Sequence, residues 1–150
     1  VPFDRVLDTI AKGEAEAGLI IHEGQLTFEK EGFKKIIDLG EWWQQRTGLP
    51  LPLGGNAVRR SLGTERIKEI ARLLKASIQY GLDHRPETLE YALQYGRGLD
   101  PSLADRFVNM YVNHWTLDIG GPGRKSVQDL LDLGAEKGIL PMRVRAEFFS

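Results

Sequence analysis

The segment Leu49-Pro50-Leu51-Pro52-Leu53-Gly54-Gly55 constrains this chain more than any other. Two prolines remove two backbone donors, so it cannot be the middle of a sheet. It reads as an extended crossing or hinge, and the chain differs on its two sides. Before it stand short apolar runs of strand type. After it, beyond one more short run, the spacing is helical nearly to the end.

The runs before the hinge are Ala17-Gly18-Leu19-Ile20-Ile21-His22 and Lys35-Ile36-Ile37-Asp38-Leu39-Gly40. The first lacks alternation, which suits a strand covered on both faces, as in a parallel sheet, and the second is a further strand candidate. The polar stretch 23–34 between them reads as a loop or short helical turn. Phe3, Val6, Leu7 and Ile10 form one helical stripe after Pro2, ended by Gly13. Glu41 to Thr47 suits a short helix closed by Gly48. Past the hinge, Asn56-Ala57-Val58-Arg59-Arg60 is a third strand candidate. Thr64 is then the expected N-cap of a long helix with Ile67, Ile70, Ala71, Leu74, Ile78 and Leu82 inward. Pro86 starts the next helix, and Asp100-Pro101 caps another carrying Phe107 and Tyr111. Gly120-Gly121-Pro122-Gly123 reads as a break, with a last helix from about Arg124 to Lys137. Strand, helix and strand in succession predict an α/β fold. Three strands against so many helices make a sheet that looks incomplete. Val1 reads as the end of an upstream element.

Composition narrows the function. The 150 residues suffice for one domain with a core. Lys+Arg number 20 and Asp+Glu 21, which argues against a phosphate-binding surface and so against nucleic acid as partner. The absence of cysteine excludes disulfides, thiolate zinc sites and Cys nucleophiles. No apolar run approaches the roughly 20 residues that span a bilayer, so no membrane partner is expected.

His22 is the candidate for chemistry. It ends an apolar strand candidate, and ligands of open α/β sheets bind beyond the carboxyl ends of strands. Histidine titrates near neutral pH and serves there as a general base. A strand-end histidine bonded to a backbone carbonyl is the plain alternative. Glu23 could orient the ring, but neighbours in a strand point to opposite faces, so a solvated Glu23 is expected. Trp42, Asn56 and Arg59 are candidate substrate contacts, by stacking, by close backbone approach after two glycines, and by carboxylate pairing. One of Trp42 and Trp43 is expected in the core and the other at the surface. Gly120 to Ser126 fails the spacing of a phosphate loop. His84 and His114 lack the partners of a metal site, so no metal is expected.

Two stretches carry a resemblance. Ala15-Glu16-Ala17-Gly18-Leu19-Ile20-Ile21-His22-Glu23, and Asp38-Leu39-Gly40-Glu41-Trp42-Trp43 through Thr47-Gly48-Leu49-Pro50-Leu51-Pro52-Leu53-Gly54-Gly55-Asn56-Ala57-Val58-Arg59-Arg60, resemble the 1,4-dihydroxy-6-naphthoate synthase family of menaquinone biosynthesis by the futalosine pathway. Val1-Pro2-Phe3-Asp4 and Tyr111-Val112-Asn113 resemble it too. The resemblance implies a type II periplasmic-binding-protein-like fold with substrate between two lobes. It places residues 1–53 in part of the second lobe plus the hinge, and 54–150 in a return strand and the helical end of the first. It implies a cytoplasmic carbon–carbon lyase that acts on cyclic dehypoxanthine futalosine without a cofactor, with His22 as proton acceptor. The family's Ser-Pro-Cys-Pro-Asn-Asp-Thr-like opening and threonine-rich turn have no counterpart here. Only His22 is therefore carried over, and the chain is expected to be a fragment whose partner is the N-terminal half. The competing expectation is a solute-binding lobe without catalysis.

Overall fold

A computed structural model describes residues 1–95 and 100–149. Seven α-helices are present among them: α1 (Val6–Ala11), α2 (Leu39–Thr47), α3 (Thr64–Asp83), α4 (Arg85–Leu93), α5 (Pro101–Tyr111), α6 (His114–Leu117) and α7 (Gly120–Glu136). Short 3-10 turns lie at Phe3–Arg5, Glu23–Leu26 and Arg60–Leu62.

Local chemistry sets the ends of three helices. Asp38 caps α2 by accepting from the amides of Gly40 (2.9 Å) and Glu41 (3.1 Å), and Gly48 closes it at φ +70°. Asp100 caps α5, and Pro101 occupies its first position. Asn113 and Thr116 form a reciprocal capping box on α6.

Two helix starts differ from expectation. Gly63, not Thr64, is the N-cap of α3, and no side chain caps it. The expected break at Gly120-Gly121-Pro122-Gly123 is instead the first turn of α7. Gly120 turns the chain at φ +58°, the Asp118 carboxylate accepts its N–H at 2.8 Å, and Pro122 falls where a helix needs no donor.

The three strand candidates are not strands among the described residues. Residues 17–21, 35–38 and 56–59 are irregular, and Leu39–Gly40 belong to α2. A strand exists only by pairing, and none of these runs has a pairing partner here. Their apolar side chains stay in solvent: Leu19 is 61% exposed and Ile36 81%. The stripe on α3 is only partly covered, with Ile67 buried, Ala71, Ile78 and Leu82 half-buried, and Ile70 and Leu74 exposed. The total accessible surface is 11381 Å². A compact chain of this mass exposes about 7,700 Å².

The buried apolar residues are Trp43, Ile67 and Ala104. The adjacent tryptophans divide as expected, with Trp43 1% exposed and Trp42 40%. α3, α4 and α5 pack in succession, α3 also meets α6, and α5 packs on the turn Glu23–Leu26. The tail folds back along α7, where the Gln128 amide donates to Val144 O (2.9 Å) and accepts from Ala146 N (3.1 Å).

Candidate functional site

The turn Glu23–Leu26 is the foundation of the site. His22 is its N-cap, extended at φ −131°, and its ring Nδ1 accepts the Gly24 amide at 3.0 Å. An imidazole in the role of a capping carboxylate satisfies one orphan donor at the start of the turn. Gly24 is buried, and the spot a Cβ would occupy lies 2.7 Å from His22 Cε1 and 3.2 Å from Leu7 Cδ1. Glycine is therefore required by packing. The turn is tied to α5 by the Gln25 amide, which donates to the Tyr111 hydroxyl at 2.8 Å.

Upstream, Gly18 brings the extended run against α1, where a Cβ would stand 2.3 Å from Val6 Cγ1 and 3.1 Å from Ile10 Cδ1. The turn that carries His22 is thus held by its own cap, by close packing on α1 and by a bond to α5.

His22 lines a cleft of about 330 Å³. Phe3, Ile21 and Glu23 form one side, and Leu93, Tyr95 and Phe107 stand among the residues of the α4–α5 side. The Phe3 ring is tilted 54° to the imidazole at a centroid distance of 5.9 Å. A largely apolar cleft with one imidazole and one carboxylate suits a small organic ligand that needs a proton moved.

The imidazole is nearly enclosed, with a side chain 13% exposed. Nε2 is buried and has no hydrogen-bond partner. Nδ1 receives an N–H, so the neutral ring carries its proton on Nε2. A buried unpaired donor is worth about 1–3 kcal/mol less than a paired one, so Nε2 gains from any ligand oxygen that a turn of the ring lets it reach.

Glu23 departs from its sequence expectation. It is not on the face opposite His22 but lines the same cleft, with Oε2 3.8 Å from Nδ1 and its side chain 25% exposed. A 3-10 turn begins at Glu23, so the alternation of a strand does not apply. Tyr95 and Tyr91 join hydroxyls at 3.2 Å at the end of α4, and this bond holds the Tyr95 phenol above its ordinary range.

The other sequence candidates lie elsewhere. Trp42, Asn56 and Arg59 do not line the His22 cleft; Asn56 and Arg59 are exposed, and Trp42 carries the Arg46 guanidinium 5.7 Å above its ring. Arg60 pairs with Glu147 of the tail. His84 contacts the Tyr80 carbonyl at 3.0 Å and stacks on the Tyr80 ring. No group of three His, Cys, Asp or Glu side chains able to hold a metal occurs among the described residues. Phe3, Gly24, Gln25 and Tyr111 were not site candidates. The signal available for Gly24 was its spacing, two residues beyond a candidate histidine.

Known proteins resemble this chain over nearly its whole length. A family described as Menaquinone biosynthesis matches residues 1–136. The 1,4-dihydroxy-6-naphthoate synthase of Streptomyces coelicolor is 35% identical over 94% of this chain and 50% of its own length. That of Thermus thermophilus is 40% identical over 93% of this chain and 51% of its own. A crystal structure of a protein from Archaeoglobus fulgidus superposes with TM-score 0.88 at 40% identity, covering 93% of this chain and 53% of that one. The chain spans about half the length of the relatives it matches.

Proposed function

This chain belongs to the menaquinone biosynthesis family, and from that premise we propose that it is the His22-bearing half of a 1,4-dihydroxy-6-naphthoate synthase. The reading is a lyase that converts cyclic dehypoxanthine futalosine to 1,4-dihydroxy-6-naphthoate and a three-carbon fragment. The observation that carries it is the His22 imidazole, fixed by Gly24 at the wall of a small, largely apolar cleft with Nε2 enclosed and unpaired.

In this reading His22 takes a proton from the bound substrate. Carbon–carbon cleavage follows, and formation of an aromatic ring drives it. Closure of the two lobes over the substrate would exclude water, so that the developing charge is met by fixed protein groups. The naphthoate carboxylate requires donors beyond those in this cleft, and Trp42, Asn56 and Arg59 stand as candidate contacts from the side of the Pro-rich segment.

The fold reading is joined to this one. We propose that the run Leu19–Ile21 and the segments around Ile36 and Val58 are strands of a two-lobed, periplasmic-binding-protein-like fold, and that their neighbours lie in the other half of the relatives' length. The uncovered apolar runs and the excess of exposed surface support it. No described helix is long and apolar enough to cross a membrane, and a cytoplasmic setting belongs to the same proposal.

The test is turnover of cyclic dehypoxanthine futalosine by three preparations: this chain alone, this chain supplied with the other half as a separate polypeptide, and that pair carrying His22→Ala. The expected result is little activity alone, turnover by the pair, and a loss of about 100-fold or more for the substitution. Normal turnover by the His22→Ala pair would sink the assignment. Ligand binding by the pair without any turnover would favour the solute-binding reading instead.

A further inference from the structure

Resting on the proton-transfer reading of His22, we propose that Glu23 is a positioning residue that decides which ring nitrogen carries the proton. Its carboxylate receives the Nδ1–H that the ring must have before Nε2 can accept a proton from substrate.

Two forms of the neutral ring have to be distinguished. In the form seen here the Nδ1 lone pair receives the Gly24 N–H at 3.0 Å, so the proton sits on Nε2. That ring donates from Nε2 and cannot accept there. For Nε2 to act as a base, the ring proton must be on Nδ1. With the cleft open and the ring turned off Gly24, Nε2 gives its proton to solvent and Nδ1 takes one from solvent, so the ring stays neutral. Nδ1–H and the Gly24 N–H cannot face each other, and Nδ1–H needs a different acceptor.

Glu23 Oε2 lies 3.8 Å from Nδ1. Both side chains line the same cleft because the 3-10 turn begins between them. Closing the gap takes a small rotation of a side chain that is partly exposed. The carboxylate then holds the ring orientation, and its charge opposes the imidazolium formed when substrate yields its proton to Nε2. After the reaction the Nε2 proton returns to product or solvent, and Gly24 can recapture Nδ1. Gly24 and Glu23 thus compete for one nitrogen, with the ring donating from Nε2 in one arrangement and accepting there in the other.

The experiment uses this chain supplied with the other half of the relatives' length, assayed with cyclic dehypoxanthine futalosine. Glu23→Ala lowers kcat about 10- to 100-fold, the range seen when the partner orienting a functional histidine is removed. KM stays within about threefold, since the role assigned to Glu23 acts on the ring and not on substrate. Glu23→Gln keeps shape and an acceptor oxygen but not charge, and it lowers kcat by a smaller factor. A second readout does not depend on turnover. With ¹⁵N-labelled histidine rings, below the histidine titration range, the His22 Nδ1–H resonance moves upfield in Glu23→Ala while Nε2–H holds its position. His22→Ala identifies both resonances. An unchanged kcat in Glu23→Ala, or an unmoved Nδ1–H resonance, overturns the proposal. Full turnover by His22→Ala is a different failure, that of the proton-transfer reading itself.

Discussion

The Trp43 indole N–H donates to the Ser126 hydroxyl at 2.8 Å, across 83 residues of sequence. Ser126 in turn donates to the Pro50 carbonyl at 2.6 Å. One hydroxyl therefore ties α2, the Pro-rich segment and α7 together. A proline segment makes few ladder bonds of its own, so a side chain from a distant helix supplies the anchor.

Ser126 is fully buried, and Ser126→Ala leaves the indole N–H and the Pro50 carbonyl without this partner. The expected loss is about 1–3 kcal/mol. It is read as a lower urea midpoint at unchanged slope. A midpoint equal to that of the parent would mean that water replaces the hydroxyl at no cost.

Gly24 has no room for a side chain beside His22. Gly24→Ala drives a methyl to within 2.7 Å of the ring carbon, so the imidazole must swing away or the turn must open. Turnover by the complemented protein is expected to fall about 100-fold, as for a reacting group displaced by an ångström. Gly121→Ala is the control. Nothing lies within 4 Å of its new Cβ, and the change sits in the first turn of α7. It should leave turnover unchanged. Equal losses in the two variants would show that the effect is not local to His22.

Helices were legible in the sequence because their signals are local. Asp38 and Gly48 bound α2, and Asp100-Pro101 opens α5, through bonds made within three or four residues. The runs at Leu19 and Ile36 have the composition of strands, but a strand is fixed by its neighbour and none is present among the described residues. The same difference governs the site. His22 stands out in the sequence by its place after an apolar run, and in the structure it lies at the wall of a cleft. Glu23 was not, because the strand expectation put it on the wrong face. Gln25 and Tyr111 were not either, because their bond spans 86 residues and nothing local marks either partner.

That bond gives a third prediction. The Gln25 amide donates to the Tyr111 hydroxyl, so Tyr111→Phe removes the acceptor while keeping the ring beside Phe107, 5.0 Å away. The turn then loses its polar tie to α5. Amide hydrogen exchange at residues 24–28 is expected to quicken, with α3 unaffected. Unchanged exchange across the turn would show that packing alone holds it.

Asp100 gives a prediction in pH. The Ser102 hydroxyl, then the Ser102 and Leu103 amides, hold its carboxyl below the usual range. A group lowered in the folded state stabilises at pH values above its unfolded range, and that contribution is lost as pH falls through the folded value. Helix content followed by circular dichroism should therefore drop on acidification with a component that Asp100→Ala abolishes. The variant should already show the lower helix content at neutral pH. Identical acid profiles for parent and variant would remove Asp100 as the source.

The uncovered runs supply the last prediction. Leu19, Ile21, Ile36 and Ile37 are all more than half exposed, and their backbone has no ladder. If the other half of the relatives' length provides neighbouring strands, pairing must satisfy backbone groups and cover side chains together. Mixing the two polypeptides should slow amide exchange at residues 19–21 and 36–37 and lower the fluorescence of a dye that binds exposed apolar surface. Ile36→Lys places a charge where a covered face is expected and should weaken association. Its effect on this chain alone should be within about 0.5 kcal/mol, since the residue is 81% exposed. Dye binding that falls without protection at residues 36–37 would mean that the second half covers α3 instead.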